Sequence, residues 1–307
     1  MRFGRVMLFV LLNIVVMVTL SIIAALLGLD RYFTARGLNY PMLMAFCLVW
    51  GMGGALISLL LSRIMAKMAL GVEVIDPGTQ DPREQELLNV VHRLATDAGL
   101  STMPEVGVYN SPEVNAFATG PTRSRSLVAV STGLLQRMEM NEVRAVLGHE
   151  LGHVTNGDMV TMTLIQGVVN AFVMFLSKVI AFAIATAMAD RGRDDKGRGS
   201  APISWMAYYL IEIVLQIVLM IPAMMLVCWF SRWREFRADA AGARLAGRRN
   251  MIAALETLRG ELGRVDNRTA PALQTLKISS QGTGLMRFFM SHPPLEERIA
   301  RLQSGAE

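Results

Sequence analysis

The sequence predicts an α-helical integral membrane protein that also carries a mainly helical soluble domain with a small β-sheet. Three features of the chain point there. Of its 307 residues, 52% are hydrophobic, and they gather into four long apolar runs at 6–29, 41–62, about 159–189 and 203–230. Between the second and third runs lie about 95 residues of soluble character, with short strand-like segments separated by turn residues. Beyond the fourth run the chain becomes charged and helical to its end.

Each apolar run reaches the ~20 residues that a helix needs to cross a bilayer core. The first is longer than a signal-peptide core of roughly 7–15 residues and no small-residue cleavage site follows it, so a retained span is expected. After the second run comes a linker, VEVIDPGTQ, and then a helix over 82–98, with Asp81 as cap, Pro82 in the first turn and Gly99 closing it. Strands are expected at PEVGVYN (104–110), VNAFATG (114–120) and SLVAVST (126–132). The next helix runs from a cap at Asn141 to the Asn156-Gly157 stop, and Asp158 caps the helix that becomes span three. After span four come a charged helical stretch (SRWREFRADAAGARLAG), a helix near 250–263 and a polar loop. A short helix opened by SHPP is last, with Leu295, Ile299 and Leu302 on one face. The expected organisation is two membrane helices (1–62), a first soluble part (63–158), a membrane hairpin (159–231) and a second soluble part (232–307).

The formal charge is +5, and the basic residues cluster beside the apolar runs, at Arg2, Arg5, Arg63, Lys67, Arg232 and Arg234. That placement suits lipid headgroups, and no nucleic-acid-binding module is visible. Arg2, Arg5, Arg63 and Lys67 argue for an amino terminus and soluble domain on the cytoplasmic side. The loop at 190–200 sits in tension with this, because it would face outward while carrying Arg191, Arg193, Lys196 and Arg198. Cys47 and Cys228 fall inside apolar runs and read as small buried hydrophobes. Lys178 and Glu212 lie about eleven and nine residues deep in spans three and four, so their depths agree within about 3 Å and a pair inside the bilayer is expected.

Residues 149–153 read HELGH. His149 and His153, four residues apart on a helix, share one face and can hold a zinc ion, with Glu150 beside them as base. Val143, Val146, Leu147, Leu151 and Val154 supply an apolar stripe. Gly148 and Gly152 each cost about 1 kcal/mol against Ala in a helix, which suggests that another backbone packs closely there.

A catalytic zinc takes three protein ligands, so one more is needed. His92 and His292 have no metal-ligand spacing to support them, and the extended H-E-x-x-H-x-x-G-x-x-H pattern fails because Asn156 and Met159 occupy its Gly and His positions. From 159 to 189 there is no carboxylate at all. Glu212 lies in a span, and Glu256, Glu296 and Glu297 belong to ordinary charged helices. Glu235, directly after span four, has Asp239 one helical turn later on the same face. That spacing suits a ligand carboxylate and a carboxylate that accepts a hydrogen bond from a ligand imidazole. A solvated helix face is the alternative reading of the same pair. An antiparallel hairpin of spans three and four would bring Glu235 near His153.

HELGH, the hydrophobic hairpin, EFRAD and the terminal SHPPLEERI together resemble the HtpX family of bacterial membrane zinc proteases, relatives of the CAAX prenyl endopeptidases. The resemblance covers nearly the whole chain, with its motifs in order and no departure at the zinc-binding positions. It implies a gluzincin-type zinc endopeptidase fold, one zinc held by His149, His153 and Glu235, and Glu150 as catalytic base. It implies residence in the cytoplasmic membrane and quality control of membrane proteins under stress, with misfolded membrane proteins or unfolded polypeptides as substrates. Whether other membrane proteases cooperate stays open. His292 and Arg298, in the terminal motif, are candidates to stabilise the oxyanion; equally, the prolines start a helix and Arg298 pairs with a carboxylate. The segment Asn115, Ala116, Phe117 and Ala118 reads as an edge strand or an internal one, and the family's use of a similar segment for substrate favours the edge. The rival class is a four-span scaffold or transporter with a structural zinc, against which Glu150 argues, because a structural site needs no base.

Overall fold

The computed structural model describes residues 2–28, 33–34, 37–191, 205–264 and 288–305. In chain order these form α1 (Arg2–Leu26), β1 (Phe33–Thr34), β2 (Gly37–Leu38), α2 (Tyr40–Leu70), β3 (Glu73–Val74), α3 (Pro82–Asp97), β4 (Glu105–Tyr109) and β5 (Ala116–Thr122). There follow β6 (Arg125–Ser131), α4 (Thr132–Arg137), α5 (Met140–Asn156), α6 (Asp158–Arg191), α7 (Trp205–Ala246), α8 (Arg248–Arg264) and α9 (Leu295–Ser304). Most of the basic loop expected at 190–200, and much of the polar loop after α8, lie outside the described residues. The chain divides into two compact units. One comprises Met1–Ser58 and Thr163–Val227, the other Leu59–Met162 and Cys228–Glu307.

The first unit is helical. All four apolar runs are helices. Among the described residues α2, α6 and α7 are long and apolar enough to cross a bilayer, and α1 adds a shorter apolar stretch at Ile14–Leu26. Small residues let α2 and α6 touch along their backbones: a Cβ at Gly51 would lie 2.6 Å from Ala171 N and 2.8 Å from Gly167 O. Leu43, Cys47 and Ala171 are buried there, Cys47 as the small hydrophobe expected. Lys178 Nζ meets Glu212 Oε1 at 2.8 Å, with both side chains buried. The Phe46 ring lies 5.9 Å from the same ammonium. The matched depths counted along the sequence thus correspond to a real ion pair.

The second unit is built on a four-stranded sheet in the order β3-β4-β6-β5, with β4 and β6 parallel and the other pairs antiparallel. The two-residue β3 lies in what the sequence suggested was a linker. Asp81 caps α3 by accepting from Arg83 N, and Gly99 ends that helix with φ 79°, as its sequence signals require. Buried apolar faces of α3, α5, α8 and α9 share one core, joined by Val106, Val128 and Val130 of the sheet. Leu295, Ile299 and Leu302 are its contribution from α9. Arg63 and Lys67 at the end of α2 both reach Glu105 at the start of β4, Lys67 at 2.6 Å.

α5 begins differently from the sequence expectation. Its cap is Glu139, not Asn141, in a reciprocal capping box with Glu142. The helix ends at Gly157, whose φ of 71° turns the chain sharply into α6.

Replacing Lys178 alone by Met leaves Glu212 as a buried, unpaired charge, a change that costs about 3–5 kcal/mol in comparable pairs. Thermal unfolding in detergent should show a clear loss of stability for Lys178→Met, largely recovered in Lys178→Met/Glu212→Leu. Equal melting of the single variant and the wild type would contradict a stabilising pair.

Candidate metal centre

The site lies within the second unit, between α5 and the end of α7. Leu147, Leu151 and Val154 fix one side of α5 in the core; His149 and His153 face away from it toward Glu235, and Glu150 lies to the side that meets β5. The two glycines explain how α7 comes so close. A Cβ at Gly152 would lie 2.8 Å from Ala241 Cβ and 3.3 Å from Ala238 Cα, and one at Gly148 would lie 3.2 Å from Gly242 Cα. Gly242 is equally restricted, since its own added Cβ would meet His149 N at 3.1 Å. Small residues on both helices let them approach backbone to backbone, which brings Glu235 and Asp239 over the histidines.

Glu235 is completely buried. Its Oε1 lies 3.3 Å from His153 Nε2 and its Oε2 3.6 Å from His149 Nε2. One ligand atom from each of His149, His153 and Glu235 fits within 4.8 Å of the others. The far nitrogens are both anchored: His149 Nδ1 lies 2.9 Å from Asp239 Oδ1, and His153 Nδ1 lies 2.6 Å from Asp158 Oδ2. With the proton on Nδ1 donated to a carboxylate, each Nε2 presents its lone pair to the centre of the cluster. Glu235 Oε1 is buried without a hydrogen bond of normal geometry. A carboxylate oxygen without a hydrogen bond, facing two oriented imidazoles, makes a donor set that could hold a metal ion, and two histidines with one glutamate suit zinc.

The local field favours positive charge at the centre, carried by a second proton on an imidazole or by a metal ion that would displace it. Burial disfavours a charged His149, but its hydrogen bonds to Asp239 and Glu235 outweigh that and push its pKa up to about 10. Burial would raise the pKa of Glu235, yet the nearby imidazoles of His149, His153 and His292 hold it well below the ordinary carboxylate value. Asp239 is likewise held low despite its burial, chiefly by the charge of Arg298.

Of the residues singled out from the sequence, Arg298 takes the second of its two readings. It is buried, with Nε 2.7 Å from Asp239 Oδ2 and a second nitrogen on Oδ1, so its guanidinium is committed to the carboxylate behind His149. Its third nitrogen, Nη1, lies 3.9 Å from Glu235 Oε2, and Arg298 lines the same cleft as Glu150. His292 is half-buried on the cleft wall, with Nδ1 2.7 Å from Glu235 Oε2. Asp158, taken from the sequence only as a helix cap, instead holds His153. The signal for it was its place five residues after His153 across a glycine stop.

Glu150 opens onto a cleft of about 330 Å³, lined by Asn115–Ala118, Glu150, His292 and, more deeply, by apolar residues of the core. β5 is the last strand of its sheet, bonded on one side to β6. On its other side the Ala118 N–H donates to Glu150 Oε2 at 2.9 Å. The edge of β5 therefore faces the base, which decides between the edge and internal readings of Asn115–Ala118.

Comparison with known proteins agrees with this geometry. Residues 81–306 match the model of peptidase family M48. A protein named Protease HtpX homolog from Verminephrobacter eiseniae is 50% identical over 304 residues, covering 98% of both chains. Protease HtpX from Xanthomonas oryzae pv. oryzae is 48% identical, covering 99% of this chain and 98% of its own. The crystal structure of S. mikatae Ste24p aligns with a TM-score of 0.61 at 18% identity, over 95% of this chain and 66% of Ste24p, so the present chain spans about two thirds of that protein's length and shares its fold.

Removing the carboxylate behind a ligand histidine typically lowers metal affinity about 10–100-fold. Asp158→Ala should show a loss of that size in chelator competition, whereas Asp158→Asn, which can still accept the Nδ1 hydrogen bond, should lose less. Undiminished affinity in Asp158→Ala would show that the contact does not support the metal.

Proposed function

We propose that this chain, which belongs to peptidase family M48 and is a membrane metallopeptidase, is a zinc-dependent endopeptidase of the cytoplasmic membrane that cleaves misfolded or damaged membrane proteins. The observation that carries the zinc reading is the arrangement of His149 Nε2, His153 Nε2 and the orphaned Glu235 Oε1 around one point, with Glu150 alongside. His149, His153 and Glu235 would hold one zinc. When bound, zinc supplies the Lewis acidity that polarises a peptide carbonyl and acidifies water.

Glu150 then takes a proton from the attacking water and passes it to the leaving amine. The edge of β5 suits an extended polypeptide added as a further strand along Asn115–Ala118, with the Ala118 N–H kept on Glu150. Seating the substrate there places its carbonyl beside Glu150, because the Ala118 N–H already bonds that carboxylate. The half-buried His292 lies on the cleft wall and supplies a donor to the developing oxyanion. Arg298 keeps Asp239 charged and so keeps His149 in the tautomer that a metal needs.

The basic residues at Arg2, Arg5, Arg63 and Lys67 support a cytoplasmic position for the protease unit. Membrane proteins with exposed or unfolded segments at that face are the substrates this placement favours, with the bilayer itself as a permanent partner.

Glu150→Gln separates this reading from a scaffold with a structural zinc. The variant should keep its metal and lose cleavage of a reconstituted membrane substrate by at least about 100-fold. Full cleavage with Gln at this position would exclude Glu150 as the base.

A further inference from the structure

α7 carries its lipid-facing character beyond the membrane run. Ile213, Ile217 and Ile221, each more than half exposed, mark an apolar face. Further along the helix Trp229 and Trp233, one turn apart, are 59% and 48% exposed. Beside them lies the segment Phe288–Met290, with Phe288 48% and Phe289 38% exposed.

The backbone of that segment is tied to α7. Arg232 Nη1 donates to Phe288 O at 3.3 Å and to Met290 O at 2.8 Å. Cys228 Sγ donates to Phe289 O at 3.3 Å. With their carbonyls satisfied by protein, the two phenyl rings remain outside the core. Arg237 places its guanidinium 5.0 Å from the centre of the Trp233 ring. Exposed aromatics interleaved with arginines, at the point where an apolar helix becomes charged, match the chemistry of a membrane–water interface.

We propose that Trp229, Trp233, Phe288 and Phe289 form a docking surface for the bilayer interface, with the neighbouring arginines facing anionic headgroups. Two features favour lipid over a protein partner: the tryptophans directly follow the membrane-length apolar stretch of α7 in the chain, and the neighbouring charge is complementary to phosphate. The surface also reaches the site. His292 follows Met290 by two residues, bonds Glu235 and precedes Pro293 and Pro294, whose fixed φ angles stiffen the connection. Docking of Phe288 and Phe289 therefore helps hold His292 on the cleft wall, a consequence that rests on the protease reading above.

The docking itself is tested without catalysis. A nitroxide is placed at Phe288→Cys in a Cys47→Ala/Cys228→Ser background, with the full chain reconstituted in vesicles of phosphatidylethanolamine and phosphatidylglycerol. A label at Glu296→Cys, exposed on α9, serves as the aqueous reference. The label at 288 should collide readily with oxygen and little with a water-soluble nickel chelate, the reverse of the label at 296. Nickel access equal to that at 296, or protection from both reagents as under a protein cover, overturns the proposal. In the same vesicles Phe288→Ser/Phe289→Ser should retain metal and lower substrate cleavage about tenfold or more. Undiminished cleavage overturns the coupling to His292, while the nitroxide result stands or falls separately from the enzyme's activity.

Discussion

A methyl group at Gly152 would sit 2.8 Å from Ala241 Cβ, and one at Gly242 would press on His149 N at 3.1 Å. The close approach of α5 and α7 is the constraint on which the site depends. HELGH supplies two imidazoles and a carboxylate from one helix, but the third donor of the cluster belongs to another helix far along the chain. Larger side chains at this crossing would push α7 off α5 and carry Glu235 away from both histidines. Four small residues, Gly148, Gly152, Ala238 and Gly242, remove the side chains that would force the helices apart. What each glycine loses in helix propensity is offset by packing and by the polar contacts that close approach permits.

Those contacts form a charge arrangement that makes sense as a whole. Three buried carboxylates, Glu235, Asp239 and Asp158, surround two histidines, and Arg298 balances one of them. Burying so many acceptors without matching positive charge would be strongly unfavourable. A divalent cation among His149, His153 and Glu235 would supply the balance, while Asp239 and Asp158 would keep the proton of each imidazole on the side away from it. The same carboxylates would then stabilise the metal and orient its ligands. Glu150, only half-buried and bonded to the Ala118 N–H, stands outside this network and opens onto the cleft.

Much of this was legible in the sequence, for definite reasons. The apolar runs were long enough to admit only membrane helices. The carboxylate-free stretch after Asp158 left Glu235 as the best-placed partner, and the i, i+4 spacing of Glu235 and Asp239 survives in the fold because α7 continues unbroken through both. Gly148 and Gly152 announced a close neighbour without naming it. Two features were hidden because they depend on tertiary direction. Asp158 reads as an ordinary helix start, and only the left-handed turn at Gly157 swings it back to His153. A carboxylate partner for Arg298 was one of its two sequence readings, but no local pattern in its short amphipathic helix says that the partner is Asp239. The cap of α5 at Glu139 was missed because Asn141 is the stronger cap by type, whereas the reciprocal bonds with Glu142 decide the start.

The central claim is that one metal ion is held between α5 and α7 by two imidazoles and a carboxylate. Zinc-edge X-ray absorption on the purified, metal-loaded chain tests it most directly, with Glu235→Gln alongside. The expected spectrum has only nitrogen and oxygen neighbours, with the outer scattering of two imidazoles, and it changes when Glu235 is replaced. Sulfur in the first shell, or a spectrum indifferent to Glu235, would contradict the account.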